Sequence, residues 1–149
     1  MKVKLAFRGI QMDEKALEMI ELELAVLVRH ITSITTEKSI GKLERSAYLF
    51  LHHIATHDAV GVKALAEEFG LDVSTASRQI AALEKKGYVL RMSDPLDGRA
   101  SSFEITDLGK KELADTKEAR LERVTKKLRN WSSEERQQFA QLLQKFNSK

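Results

Sequence analysis

Apolar positions recur at helical spacing over most of the chain, and only one region switches to short strand-like runs. From Asp13 to Glu37, Leu17, Ile20, Leu24, Leu27, Val28, Ile31 and Ile34 form a stripe, with Leu22 and Val26 beside it. The pattern predicts a long helix whose apolar surface is too broad for one face, as in helices that bury part of themselves against another chain. A second helix is expected from about Leu43 to His57 on Ala47, Tyr48, Phe50, Leu51 and Ile54, followed by a turn at Asp58-Ala59-Val60-Gly61. A short third helix carries Val62, Leu65, Ala66 and Phe69. Gly70 is a natural stop just past its end. In the fourth helix, Val73, Ala76, Ile80 and Leu83 share one side, and Asp72 or Ser74 can accept hydrogen bonds from the free amides at its start.

The strand-like region comes next. Val89-Leu90-Arg91-Met92 and a return through Phe103 and Ile105 flank the loop Ser93-Asp94-Pro95-Leu96-Asp97-Gly98-Arg99-Ala100. Pro95 fixes its own φ, and Asp97-Gly98 is a strong turn dipeptide. Thr106 is placed to cap a helix from Asp107 to about Asn130, sparse in apolar residues and therefore solvated between Ala114 and Leu121. Ser132 and Glu135 have the spacing of a capping box, and the last helix carries Phe139, Leu142, Leu143 and Phe146. The fold class expected is mainly α, an α+β winged helix of about six helices with a small two- to three-stranded β-wing.

Composition narrows this only a little. With 149 residues, 32% charged and 6% aromatic, a helix-rich, well-solvated domain fits better than a sandwich or barrel. A net charge of +3 argues little about partners. The absence of cysteine excludes disulfides, thiolate metal sites, cysteine nucleophiles and cysteine redox sensing. The longest aliphatic run, Leu24 to Val28, is far too short to span a membrane, and the start does not read as a signal peptide. The expected compartment is the cytoplasm.

The chemistry lies on the fourth helix and the loop after it. Ser74, Thr75, Arg78, Ala82 and Lys85 point away from the apolar side, small and polar at the N-terminal half and cationic further on. Small side chains let a backbone approach a DNA groove, and Arg78 can reach a guanine edge or a phosphate. Any surface helix has a solvated polar face, so this face alone also fits a helix without a ligand. Arg99 at the tip of a narrow hairpin is shaped for the minor groove, and it is equally suited to pairing with Asp94 or Asp97. From residue 72 to 99, Arg78, Lys85, Lys86, Arg91 and Arg99 stand against Asp72, Glu84, Asp94 and Asp97, so affinity for DNA must come from placement rather than bulk charge.

Taken in order, Ser74-Thr75-Ala76-Ser77-Arg78, Leu83-Glu84-Lys85-Lys86-Gly87-Tyr88-Val89, Arg91, Asp94-Pro95-Leu96-Asp97-Gly98-Arg99 and Thr106-Asp107-Leu108-Gly109 resemble the MarR family of bacterial transcription regulators. The close resemblance covers about residues 43–109. It implies a homodimer, with residues 1–11 as a tail or arm and 12–41 as an N-terminal dimerisation helix. Residues 42–106 would be the winged helix-turn-helix, and 107–149 the C-terminal helices that complete a dimerisation lobe. DNA-contacting residues would be Ser74, Thr75, Ser77, Arg78, Lys85, Arg91 and Arg99, with Asp97 and Gly98 supporting the wing. The partners implied are double-stranded DNA with a palindromic operator and a small aromatic or anionic effector. The effector's binding residues are not specified by any motif.

Other signals are weaker. His53 and His57 lie at a spacing able to hold zinc on one helical face, with His52 beside them, but a matching carboxylate is missing. They read more simply as partly buried or interfacial histidines that could line a ligand pocket. Trp131 is expected where two helices meet, and Lys126-Lys127-Leu128-Arg129 as a solvated face. Without a phosphate loop or a nucleophile elbow the chain does not read as an enzyme, and no metal or cofactor is expected. The alternatives to a regulator are a winged-helix module that docks protein and a metal-responsive regulator.

Overall fold

The computed structural model describes residues 13–35, 43–93 and 101–149. The chain divides into two compact units between residues 39 and 40. In the first, α1 (Glu14–Thr35) starts where the Asp13 carboxylate accepts hydrogen bonds from the Lys15 and Ala16 amides at 3.1 and 3.4 Å. Ala16, Leu17, Leu24 and Ile31 are half-buried, while Met19, Ile20, Leu22 and Val28 stand exposed.

The second unit runs α2 (Arg45–Thr56), β1 (Val60–Gly61), α3 (Val62–Phe69), α4 (Val73–Lys85), β2 (Val89–Ser93), β3 (Ser101–Ile105), α5 (Asp107–Leu128) and α6 (Ser133–Asn147). Its core is assembled from Phe50, Leu51 and Ile54 of α2, Leu65 and Ala66 of α3, Ala76, Ile80 and Leu83 of α4, and Val60, Val89 and Phe103 of the strands. The Phe50 and Phe69 rings stack at 5.0 Å between centroids, locking α2 to α3. Between α3 and α4 the chain reverses at Gly70, whose backbone is left-handed (φ 61°, ψ 39°). The Leu71 amide returns to the Ala66 carbonyl at 2.8 Å, which closes the helix end.

The sheet is antiparallel with order β1-β3-β2. Val60 pairs with Phe103 and Gly61 with Ser102, so the turn expected at Asp58–Gly61 is in its second half a strand. Two residues are too few for alternation to register, and Val60 is held by burial instead. The β2–β3 ladder runs from Val89 opposite Ile105 to Ser93 opposite Ser101.

Thr106 ties the ribbon to α5. Its amide donates to the Tyr88 carbonyl at 3.0 Å, its hydroxyl donates to Gly87 O at 2.6 Å, and the same oxygen accepts from the Gly109 amide at 3.0 Å. The expected cap is thus present, and so is the capping box of Ser132 and Glu135 at α6. The Ser132 backbone and side chain hold the Glu135 carboxyl below the usual carboxylate range.

Three expectations need correction. Asp72 has the extended backbone of an N-cap but its side chain makes no capping bond, and Ser74 lies inside the helix. Val73, on the same side of the wheel as Ala76, Ile80 and Leu83, is nonetheless 49% exposed as the first residue of α4. The middle of α5 is not uniformly solvated: Thr116 is buried and the Arg120 guanidinium lies 4.7 Å from the Tyr48 ring centroid on α2. Polar residues built that contact, so apolar counting missed it. No described helix is long and apolar enough to cross a membrane.

Candidate nucleic-acid interface

The two sides of α4 do different work. Ala76, Ile80 and Leu83 enter the core, which fixes the helix rotation and leaves Ser74, Ser77, Arg78 and Lys85 exposed and Thr75 half-exposed. The first intrahelical bond runs from the Ala76 amide to the Asp72 carbonyl at 3.0 Å, so the amides before it lack partners in the helix and carry its positive end. With hydroxyls in the first two turns, that end can receive an anion or a base edge at close range.

Arg78 leans back on Thr75, its Nη2 donating to Oγ1 at a long 3.4 Å. A single bond of that length leaves the guanidinium free to turn outward. Lys85 sits in the last turn of the same helix.

Arg91 is differently placed. Its Nε donates to Glu84 Oε2 at 3.1 Å and its Nη2 to Oε1 at 3.5 Å, with the guanidinium carbon 5.0 Å from the centroid of the buried Phe103 ring. Sequence spacing did not reveal this pairing, since Glu84 and Arg91 belong to different elements. Arg99, Asp97 and Gly98 lie outside the described residues, in the segment between Ser93 and Ser101.

The histidines do not assemble a metal centre. The His53 and His57 rings stack at 4.0 Å, and His57 Nδ1 donates to the His53 carbonyl at 2.8 Å, so that nitrogen is engaged. Among the described residues no group of three or more metal-ligating side chains occurs. His52 is exposed, and half-buried His53 meets the Phe69 ring edge-on at 5.8 Å. Desolvation first, then the neighbouring His57, lowers the His53 pKa below the ordinary value. Trp131 packs on Phe139 of α6 at 5.2 Å where α5 gives way to α6, as expected of it.

The MarR family model matches residues 43–101 of the chain. The sequence is 46% identical to the "uncharacterized HTH-type transcriptional regulator YxaD" of Bacillus subtilis (strain 168), over 91% of this chain and 95% of that one. Among solved structures, the transcriptional regulator SlyA superposes with a TM-score of 0.69 at 25% identity, covering 85% of this chain and 90% of that one. A MarR family protein from Bacillus stearothermophilus gives a TM-score of 0.76 at 19% identity, over 91% of this chain and 95% of its own, a likeness of fold.

Proposed function

The chain belongs to the MarR family of helix-turn-helix transcription regulators, and from that premise we propose that it is a cytoplasmic, homodimeric repressor of a palindromic DNA operator. The observation that carries the reading is the split of α4, buried through Ala76, Ile80 and Leu83 and exposed through Ser74, Ser77 and Arg78. In this reading α4 enters the major groove. Ser74, Thr75 and Ser77 permit close approach, Arg78 reads a base edge or clamps a phosphate, and Lys85 meets the backbone at the far end. Arg91 stands at the root of the wing. Arg99, shaped by Asp97 and Gly98, serves the minor groove.

Two such units, with half-sites about one helical turn apart, supply the affinity that the weak net charge of one does not. The dimerisation lobe would be formed by α1, α5 and α6. A small aromatic or anionic effector would favour a dimer in which the two recognition helices lose register with the operator.

Size in solution, measured together with binding of random-sequence duplex over a salt series, tests the reading. A dimer whose affinity falls steeply with salt is expected, because phosphate contacts release counterions. A dimer that ignores DNA at low salt overturns it and leaves a protein-docking module.

A further inference from the structure

We infer that Arg91 is a positioning residue: its pairing with Glu84 braces the wing against the recognition helix, and it does not serve as a phosphate contact. The inference rests on the DNA-binding reading and deepens it.

Glu84 is the puzzle that leads there. It is a carboxylate on α4, the helix proposed to face a polyanion, and left alone it would repel DNA. Arg91 takes both of its oxygens, Nε on Oε2 at 3.1 Å and Nη2 on Oε1 at 3.5 Å. That two-point geometry fixes direction as well as neutralising charge. Beneath the guanidinium lies the ring of Phe103, the cross-strand partner of Arg91, fully buried and therefore stationary. One side chain of β2 is thus held by α4 and by β3 together.

The position of the brace gives it consequence. The ladder ends with Ser93 opposite Ser101, just beyond Arg91, and the chain between those two residues carries Arg99. A tilt of β2 against α4 would therefore swing the wing relative to the recognition helix. A lysine could supply the charge at this position but neither the fork nor the planar stacking. The pair is half-exposed, with side-chain exposures of 50% and 35%, so it adds little to stability and its variants should fold.

The test compares Arg91→Lys, Arg91→Gln, Glu84→Ala and the double variant Arg91→Gln/Glu84→Ala, with thermal unfolding as the control for folding. Binding is measured to a selected operator and to random-sequence duplex, each over a salt series. Three results are expected. Glu84→Ala weakens operator binding several-fold although it removes a negative charge, and Arg91→Lys does the same although it keeps its positive one. The double variant is no weaker than either single, the mark of one shared interaction. The salt slope on random duplex matches wild type for every variant.

The brace is overturned if Arg91→Lys binds like wild type, if Glu84→Ala binds more tightly, or if Arg91→Gln lowers the salt slope by about one per subunit as a lost phosphate contact would. Wild-type protein that retains no duplex at low salt would overturn the regulator reading itself. Failure of the brace alone leaves wild-type binding intact.

Discussion

Ile80 and Val73 sit two turns apart on α4, and their removal should have very different results. Ile80 is 1% exposed, so Ile80→Ala opens a cavity in the core cluster. Its expected cost is about 2–5 kcal/mol. Val73 keeps half its surface in water, and Val73→Ala should cost less than about 1 kcal/mol. Urea unfolding of the two variants checks this, and equal losses would mean that the core extends past the start of α4. An ideal wheel puts both residues on the same side, because it has no ends. The buried set Ala76, Ile80 and Leu83 was legible in the sequence, while the exposure of Val73 depends on where the helix begins.

At the scale of elements, the joint between the ribbon and α5 is tightly built, with three hydrogen bonds at Thr106 and no room for a side chain at Gly109. Gly109 lies inside α5 against the Tyr88 backbone, and an added Cβ would fall on the Tyr88 carbonyl oxygen and 2.8 Å from Ile105 Cγ1. Backbone cannot give way as a flexible side chain does, so Gly109→Ala should reach the upper end of the about 1–3 kcal/mol typical of overpacking. A denaturation midpoint unchanged from wild type would show that α5 can slide away from Tyr88. Thr106 and the Ser132–Glu135 box were legible because caps are local, decided within four residues of sequence. Strand β1, the buried Thr116 and the Glu84–Arg91 pair were not. Strand β1 depends on Phe103 and Ser102, far along the chain, and is too short to carry a period, the Glu84–Arg91 pair joins polar residues of two different elements, and apolar counting does not register a buried threonine.

The pH dependence of folding belongs to the whole second unit, and His53 contributes to it near its ordinary value. Burial against Phe69 and the charge of His57 lower its pKa from the ordinary 6.5, with Glu68 opposing. The folded state therefore binds fewer protons than the unfolded chain within that window, and stability rises with pH there. No penalty exists well above the ordinary value. It grows as pH falls through that value and levels off below the folded one. Between about pH 7.5 and 5.5, His53→Gln should lose less stability than wild type on acidification. Parallel urea titrations at both ends decide it, and equal losses would assign the acid sensitivity elsewhere.

The largest unspent resource of the molecule is apolar surface. Leu142 and Phe146 on α6 are 63% and 65% exposed, α6 has no buried residue, and Met19, Leu22 and Val28 on α1 are similarly open. In the proposed homodimer a second copy of the chain would cover such apolar side chains. Folding is then coupled to association, so the thermal midpoint should rise with protein concentration. Phe146→Glu would place a charge in that interface and should yield a monomer by sedimentation, with a midpoint independent of concentration. A monomer carries one recognition helix in place of two, so its salt slope on DNA should fall to about half the wild-type value. If Phe146→Glu stays dimeric with an unchanged slope, α6 lies outside the interface, and the open surface of α1 would have to hold the two copies together.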